Sequence, residues 1–276
     1  MCLKGFLVIT SVVTSKHYLN NVEIGGVLGV LEAIAARASQ LIWESFRLGL
    51  GASIVSRKED DVSREVDLAA EELVYKMLRE SFKEGGVLYA EEGGEYRWGD
   101  GRYIFVLDPL DGSLNYAVGI PFFSVSLAAG RYKDGTLSDL EYAVVAIPPT
   151  GEVYTAGPGL GARKNGRPLK RAVKSNIVFI AASNNFPEKT CEVVKRFGLK
   201  GRSLGSSAAE LVYTVEGIAR GFLDLRGKLR VLDAAGALTV GKYVEGFKYV
   251  ILGDPSPHSR VSIVAGDEEF VNAALN

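Results

Sequence analysis

The stretch Asp108-Pro109-Leu110-Asp111-Gly112-Ser113-Leu114-Asn115 decides how this sequence folds. It directly follows the apolar run 103–107, which is typical of a buried β-strand. Two carboxylates therefore emerge close together where a strand ends, and sites in α/β proteins gather at strand ends. Such neighbouring acids repel each other unless a cation lies between them, and oxygen ligands favour magnesium, manganese or calcium. The alternative is an ordinary acidic turn, because Asp, Pro and Gly also form turns.

The composition indicates a globular protein with either one large domain or two closely packed halves. The chain has 276 residues, of which 47% are hydrophobic and 24% are charged. Its 32 basic residues nearly cancel its 33 acidic residues, so the charge implies neither a nucleic-acid partner nor an anionic membrane. The two cysteines, Cys2 and Cys191, are too few for a disulfide framework, which favours a cytoplasmic location.

Three segments are expected along the chain. Residues 1–20 are expected to be an N-terminal extension, because their apolar run is too short to span a bilayer and no cleavage site follows it. Residues 21–150 are expected to form an α+β half, in which two helices precede an antiparallel meander that carries most of the clustered acids. Residues 151–276 alternate strands with helices, which is typical of an α/β half.

The two helices of the first half are predicted at 22–48 and 67–82. Both segments carry apolar residues at helical spacing. The polar residues 51–66 lie between them, and they fit either a solvated loop or a flap over a site.

Two further acids share the position at a strand end. Glu91 follows the apolar run 87–90, and Asp233 opens a predicted helix. An acid at a helix N-terminus is favourable without any metal. Asp233 can therefore be an ordinary helix-start residue, and so can Asp67 at the start of the second predicted helix.

The octapeptide 108–115 closely resembles the signature Asp-Pro-(Ile/Leu)-Asp-Gly-(Thr/Ser)-x-Asn of the inositol monophosphatase and fructose-1,6-bisphosphatase superfamily. Glu91-Glu92 is similar to the family's Gly-Glu-Glu element, with Ala90 in place of Gly. The stretch 232–236 is similar to Trp-Asp-x-Ala-Ala-Gly, with Leu232 in place of Trp. The three elements occur in the family's order, and the resemblance covers about residues 22–276. It implies the α/β sugar-phosphatase fold, in which helix and sheet layers alternate as αβαβα.

The resemblance also implies a magnesium-dependent phosphatase that acts through water, without a covalent intermediate. Glu91, Asp108 and the carbonyl of Leu110 would hold one Mg²⁺. Asp108, Asp111 and Asp233 would hold a second. The family often shows a third, weaker ion, which here would lie near Glu91 and Asp67, and Mn²⁺ can substitute for Mg²⁺.

The catalytic residues implied by the resemblance are Asp67, Ser113 and Glu91. Asp67 and Ser113 match the pair that orients and deprotonates the attacking water. The substrate would lie against Asp111, Gly112 and Ser113, and backbone amides in this turn can bind phosphate oxygens. Metal ions supply what phosphate-ester hydrolysis needs, since they neutralise the anion and stabilise the leaving alkoxide.

Two arginines point to a substrate with a second phosphate. Gly201-Arg202-Ser-Leu-Gly205 and Asp224-Leu-Arg226 resemble the archaeal-type enzymes that act both as fructose-1,6-bisphosphatase and as inositol-1-phosphatase. In those enzymes the matching arginines hold the distal phosphate, and Ser207 would line the same pocket. The implied reactions convert fructose-1,6-bisphosphate to fructose-6-phosphate and inositol-1-phosphate to inositol. The resemblance also suggests a homodimer.

Several alternatives remain open from the sequence. Within the superfamily, the chain can be a strict inositol monophosphatase or a nucleotide 3'-phosphatase. A haloacid-dehalogenase-type phosphatase also places two acids at a strand end, but with a spacing of two residues rather than three. A non-catalytic metal-binding scaffold is the alternative outside enzymes, and it would not require Asp67 and Ser113.

Overall fold

The structure is a computed structural model that describes residues 22–58, 61–173, 175–181 and 187–276. The expected N-terminal extension, 1–20, lies outside the described residues. The two predicted long helices are present as α1, Val22–Arg47, and α2, Glu65–Ser81. Gly26 interrupts the helical geometry of α1 with a φ of 60°, a value that glycine adopts readily.

The segment between these helices is a hairpin and not an irregular loop. Strand β1, Ile54–Lys58, pairs antiparallel with β2, Asp61–Arg64. The β-branched residues Ile54, Val55 and Val62 favour strand over loop, in spite of the charged residues around them. The role of this hairpin as a flap stays a prediction.

An eight-stranded sheet forms the first half of the molecule. Its strand order is β10-β9-β8-β7-β6-β5-β3-β4. Its neighbours pair antiparallel except for β3 and β5, which are parallel, so the predicted meander is interrupted there. A short helix α3, Ser113–Val118, and a 3₁₀ turn, Leu137–Asp139, lie between its strands. The strands are β3 Gly85–Ala90, β4 Gly94–Gly99, β5 Tyr103–Asp111, β6 Ser124–Arg131, β7 Leu140–Ile147, β8 Glu152–Gly157, β9 Gly161–Lys164 and β10 Arg167–Pro168.

The second half is built on a five-stranded mixed sheet. Its order is β12-β11-β13-β15-β14, in which β11 is parallel to both of its neighbours and β15 is antiparallel to both of its own. The elements are β11 Ile177–Ile180, α4 Glu188–Arg196, β12 Lys200–Arg202, α5 Ser207–Glu216, β13 Gly221–Arg230, α6 Val231–Gly241, β14 Lys248–Leu252, β15 Arg260–Gly266 and α7 Glu268–Leu275.

These elements stack in five layers, which confirms the predicted αβαβα architecture. Helices α1 and α2 pack on one face of the large sheet, and α5 and α6 lie between the two sheets. Helix α7 covers the outer face of the small sheet and packs against α4. Three apolar clusters fill the interfaces between layers, and their fully buried members include Leu31, Phe105, Val212, Leu238 and Phe270.

Helix α1 is apolar and long enough to pass a length-and-composition test for a membrane span over Gly26–Arg47. Its buried residues, among them Leu31, Ile34 and Ile42, belong to the cluster that packs on the large sheet. The apolar character of α1 is therefore explained by its place in the core.

Two boundaries differ from the sequence expectation. The large sheet continues through β8, β9 and β10, so the expected division at residue 150 crosses a continuous sheet. Strand β5 runs on to Asp111, instead of ending before Asp108. Asp108 pairs with Ser126 and Asp111 with Ser124, and a bulge between the two pairs absorbs Pro109, which has no N–H to donate.

Candidate metal and phosphate site

Three carboxylates from three elements converge at one end of the large sheet. Glu91 follows β3, Asp108 lies in β5, and Asp233 lies in the first turn of α6. One oxygen from each lies within 4.8 Å of the others. Strands β3 and β5 are parallel neighbours, so Glu91 and Asp108 leave the sheet at the same edge. Helix α6 packs on β5 and brings Asp233 to them.

Burial and mutual repulsion both act on these carboxylates. Asp108 is 1% exposed, and burial, followed by the negative charges of Glu91, Asp111 and Asp233, raises its pKa well above the ordinary range. Burial raises the pKa of Asp233 to about 7, although Arg230 opposes this shift. A site that makes ionisation this costly is one in which a bound cation is strongly favoured.

The three carboxylates fit a divalent cation that prefers oxygen ligands. Mg²⁺, Mn²⁺ and Ca²⁺ bind carboxylate oxygens at about 2.0–2.6 Å, so oxygens around one ion lie within roughly 5 Å of each other. The oxygens of Glu91, Asp108 and Asp233 meet this condition. The amide of Leu110 donates to Asp108 Oδ1 at 3.1 Å, which fixes the carboxylate within the bulge.

Asp111 lies beside this group but is held by the start of α5. Its carboxylate accepts hydrogen bonds from the hydroxyls of Ser206 and Ser124 and from the amides of Ser207 and Ala208, the latter two at 3.1 and 2.8 Å. The positive end of the helix and these donors oppose the pKa increase that burial causes at Asp111. Asp111 therefore links the three converging carboxylates to the first turn of α5, which begins at Ser207.

The turn after Asp111 requires glycine. Gly112 has a φ of 97°, and a Cβ there would lie 3.1 Å from the carbonyl oxygen of Gly205. Asn115 extends the same contact, since its side-chain amide donates to the carbonyls of Phe122 and Leu204 at 2.8 and 2.7 Å. The motif is thus fastened to the 202–207 segment, and Ser113 begins helix α3 beside it.

Asp67 lies in the first turn of α2 and is 3% exposed. Burial raises the pKa of Tyr116, and the negative charge of Asp67 adds to that increase. Asp67 therefore lies near α3, the helix that Ser113 begins. Glu91 and Asp67 are also connected indirectly, through a residue that the sequence argument missed.

That residue is Glu71, which lies four positions after Asp67 and shares its helix face. It is 2% exposed, and its carboxylate accepts from the amides of Glu92 and Gly93 at 2.9 and 2.8 Å and from the hydroxyl of Tyr96 at 2.8 Å. Helix α2 thereby holds the turn that follows Glu91. The spacing from Asp67 was the one sequence signal for Glu71.

The two predicted phosphate-binding arginines lie on the small sheet. Arg202 ends β12 and is exposed, and Arg226 lies in β13. Both strands pair in parallel with β11, and the register sets Arg202 level with Phe222, four residues before Arg226 along β13. Arg226 makes a two-pronged contact with the fully buried carboxylate of Asp224, with Nε–Oδ1 and Nη2–Oδ2 distances of 2.9 and 2.6 Å.

Arg230 is a further residue that the sequence argument did not include. It bonds to both Glu91 and Asp233, through Nη2 and Nε respectively. Its position three residues before Asp233 was the available signal, because residues at this spacing are neighbours where a helix begins.

Comparison with known proteins identifies the family. Residues 26–242 match the model of the inositol monophosphatase family. The chain is 29% identical to the Escherichia coli K12 protein named Nus factor SuhB in an alignment of 266 residues that covers 90% of this chain and 94% of that protein. It is also 33% identical to the fructose-1,6-bisphosphatase of Pyrococcus furiosus in an alignment of 186 residues that covers 66% of this chain and 67% of that one.

A solved structure shares the fold over nearly the whole chain. The inositol monophosphatase–fructose 1,6-bisphosphatase MJ0109 superposes with a TM-score of 0.74 at 22% identity, and the match covers 90% of this chain and 97% of that one. The predicted resemblance to archaeal-type enzymes of the superfamily is confirmed by these matches. The chain belongs to the inositol monophosphatase family, as the motif at the end of β5 predicted.

Proposed function

We propose that this chain is a magnesium-dependent phosphatase that hydrolyses fructose-1,6-bisphosphate to fructose-6-phosphate and, more loosely, inositol-1-phosphate to inositol. The observation that supports it best is the convergence of Glu91, Asp108 and Asp233 within 4.8 Å, in a chain of a metal-dependent phosphatase family. The substrate would be bound between this cluster and the start of α5.

The proposed roles follow from where each group lies. Glu91, Asp108 and the Leu110 carbonyl would hold the first cation, and Asp108, Asp111 and Asp233 would hold the second. A third cation would bind near Glu91 and Asp67. When bound, the cations would neutralise the phosphate and make the attacking water more acidic.

The water is oriented and deprotonated by Asp67 together with Ser113. Asp67 is buried in the first turn of α2. The backbone amides of Gly112 and Ser113 bind oxygens of the reacting phosphate. The hydrogen bonds of Asn115 to the Leu204 and Phe122 carbonyls keep this turn in place during the reaction.

The preference for a bisphosphate rests on the two arginines. Arg226 is oriented by its contacts with buried Asp224, and Arg202 lies at the end of β12 in the same five-stranded sheet. Guanidinium groups bind phosphate through paired, charge-assisted hydrogen bonds. The distal phosphate would lie against these arginines, with Ser207 lining the pocket.

A phosphate-release panel tests this function. It compares fructose-1,6-bisphosphate, inositol-1-phosphate, a nucleotide bisphosphate and a generic aryl phosphate, each with Mg²⁺ and with EDTA. We expect release from the first two substrates only with Mg²⁺, with the highest kcat/KM for fructose-1,6-bisphosphate. Release in EDTA, or a preference for the nucleotide, would contradict the proposal.

The same preparation tests two further parts of the proposal. We propose a cytoplasmic homodimer, and light scattering of the purified protein would give a mass near twice the 29.7 kDa of the chain. An acyl-phosphate trapped on Asp108 during turnover would instead favour a covalent mechanism of the haloacid-dehalogenase type.

A further inference from the structure

Arg230 lies where the small sheet meets the candidate metal site. It is the last residue of β13 and directly precedes α6, and its side chain is 19% exposed. Its Nε lies 3.2 Å from Asp233 Oδ1, and its Nη2 donates to Glu91 Oε1. One guanidinium thus spans two of the three carboxylates that converge at this site.

Arg230 places a positive charge in contact with the carboxylate cluster. The cluster combines three acids whose oxygens lie within 4.8 Å, and its centre, Asp108, is 1% exposed. A guanidinium remains charged at any physiological pH, and its planar fork can bind two carboxylates at once. Arg230 therefore neutralises part of a charge density that would otherwise destabilise the folded state.

We propose that Arg230 is an internal counter-ion that competes with the divalent cation for Glu91 and Asp233. This inference rests on the proposed metal site. Arg230 contacts the same two carboxylates that would hold the cation, so cation binding would require the guanidinium to give up at least part of these contacts. Arg230 therefore lowers the affinity for the cation while it stabilises the metal-free fold.

Competition follows from the oxygens that are shared. Glu91 and Asp233 offer the same carboxylates to the arginine and to the ion. A divalent cation bound to these oxygens would also lie close to a fixed positive charge, which disfavours binding. A site that includes this arginine therefore binds its ion more weakly than the carboxylates alone would.

The experiment measures cation binding and not turnover. Isothermal titration with Mn²⁺ and with Mg²⁺ compares the wild type with Arg230→Gln, and thermal melts are recorded in EDTA and in Mg²⁺. We expect Arg230→Gln to bind the cation about tenfold more tightly or better, which corresponds to ~1.4 kcal/mol. We also expect its melting temperature to fall in EDTA and to recover in Mg²⁺.

Arg220→Gln is the matched control. Arg220 also contacts two acids, Asp267 at 2.9 Å and Glu269 at 2.6 Å, and its side chain is similarly 23% exposed. Both acids lie at the start of α7, away from the cluster. We expect this variant to bind the cation with wild-type affinity.

The outcomes separate the inference from the function on which it rests. A wild type that binds no divalent cation contradicts the proposed metal site. A wild type that binds, with Kd unchanged or weaker in Arg230→Gln, overturns the counter-ion role alone. If Arg230→Gln folds in neither buffer, the cation affinity of Arg230→Lys is measured in its place. An ammonium lacks the fork, so tighter binding than wild type supports the inference, and equal or weaker binding overturns it.

Discussion

The carboxylate of Glu71 accepts a hydrogen bond of 2.8 Å from the backbone amide of Gly93, across 22 residues of sequence. It thereby ties helix α2, which carries Asp67, to the turn that carries Glu91. The proposed water-activating acid and a proposed metal ligand are in this way positioned by a residue that is itself neither a proposed metal ligand nor a proposed substrate contact.

The first prediction concerns this contact. Glu71→Ala leaves the amides of Glu92 and Gly93 without their acceptor, and a buried donor left unsatisfied costs about 1–3 kcal/mol. We expect a lower melting temperature and weaker Mg²⁺ binding, measured by calorimetry. Glu72→Ala, an exposed neighbour on the same helix, is the control and should leave both unchanged. Unaltered Mg²⁺ affinity in Glu71→Ala would exclude a positioning role.

The second prediction concerns Asp111. We expect Asp111→Asn to abolish Mg²⁺-dependent phosphate release, because the amide removes one anionic ligand. Four donors converge on this carboxylate, so the amide –NH₂ will face at least one of them. The melting temperature should therefore also fall by a few degrees. Ser124→Ala removes one donor and keeps the acid, so it should retain activity. Turnover close to wild type in Asp111→Asn would contradict the metal role.

The third prediction concerns the distal phosphate. We expect Arg226→Ala to raise KM for fructose-1,6-bisphosphate about tenfold or more, with a much smaller effect on KM for inositol-1-phosphate. This variant also leaves Asp224 buried without its arginine, so circular dichroism must confirm the fold. Arg226→Lys keeps the charge beside Asp224 and separates loss of fold from loss of the paired phosphate contact. Equal effects on both substrates would remove the distal-phosphate role.

The fourth prediction links metal binding to pH. The folded-state pKa of Asp233 is raised to about 7 from an ordinary value of 3.8, so the folded metal-free protein binds protons more tightly than the unfolded chain. The stability that protonation of Asp233 contributes is therefore present below about pH 4 and is lost as the pH rises through about 7. A divalent cation competes with these protons. We expect Mg²⁺ to raise the melting temperature more at about pH 8 than at about pH 5, and Asp233→Asn to weaken this dependence. An equal Mg²⁺ shift at both pH values would contradict the linkage.

The fifth prediction isolates a buried acid outside the metal cluster. Burial raises the pKa of Glu210 to about 8, although the amides of Leu204 and Gly205 donate to it. The folded state again favours the protonated form, so stability is lost as pH rises from about 4.5 through about 8. Glu210→Gln removes this loss and keeps an acceptor for the two amides. We expect it to melt above wild type at about pH 9 and close to it at about pH 5, whereas exposed Glu188→Gln should match wild type at both. A Glu210→Gln variant that tracks wild type at both pH values would contradict the assignment.

Local sequence was sufficient for much of the fold. The apolar period placed α1 and α2 within two residues of their ends. Local sequence did less well at β4 and β12, which carry few apolar residues and are stabilised by pairing with a neighbour. It also ended β5 too early, since a bulge lets Pro109 lie within a strand.

The sequence elements 91–92, 108–115 and 232–236 together determined the family, the layered fold and the acids around which the site is built. They could do so because each is a short run of residues and part of its geometry is local, such as the hydrogen bond from the amide of Leu110 to Asp108. Which distant groups meet those acids was decided only by the tertiary structure. Glu71 reaches the turn after Glu91 because α2 packs on the large sheet. Arg230 reaches Glu91 because it directly precedes α6, which packs on the same sheet. Contacts of this kind depend on how the layers stack, and no local pattern in the chain encodes them.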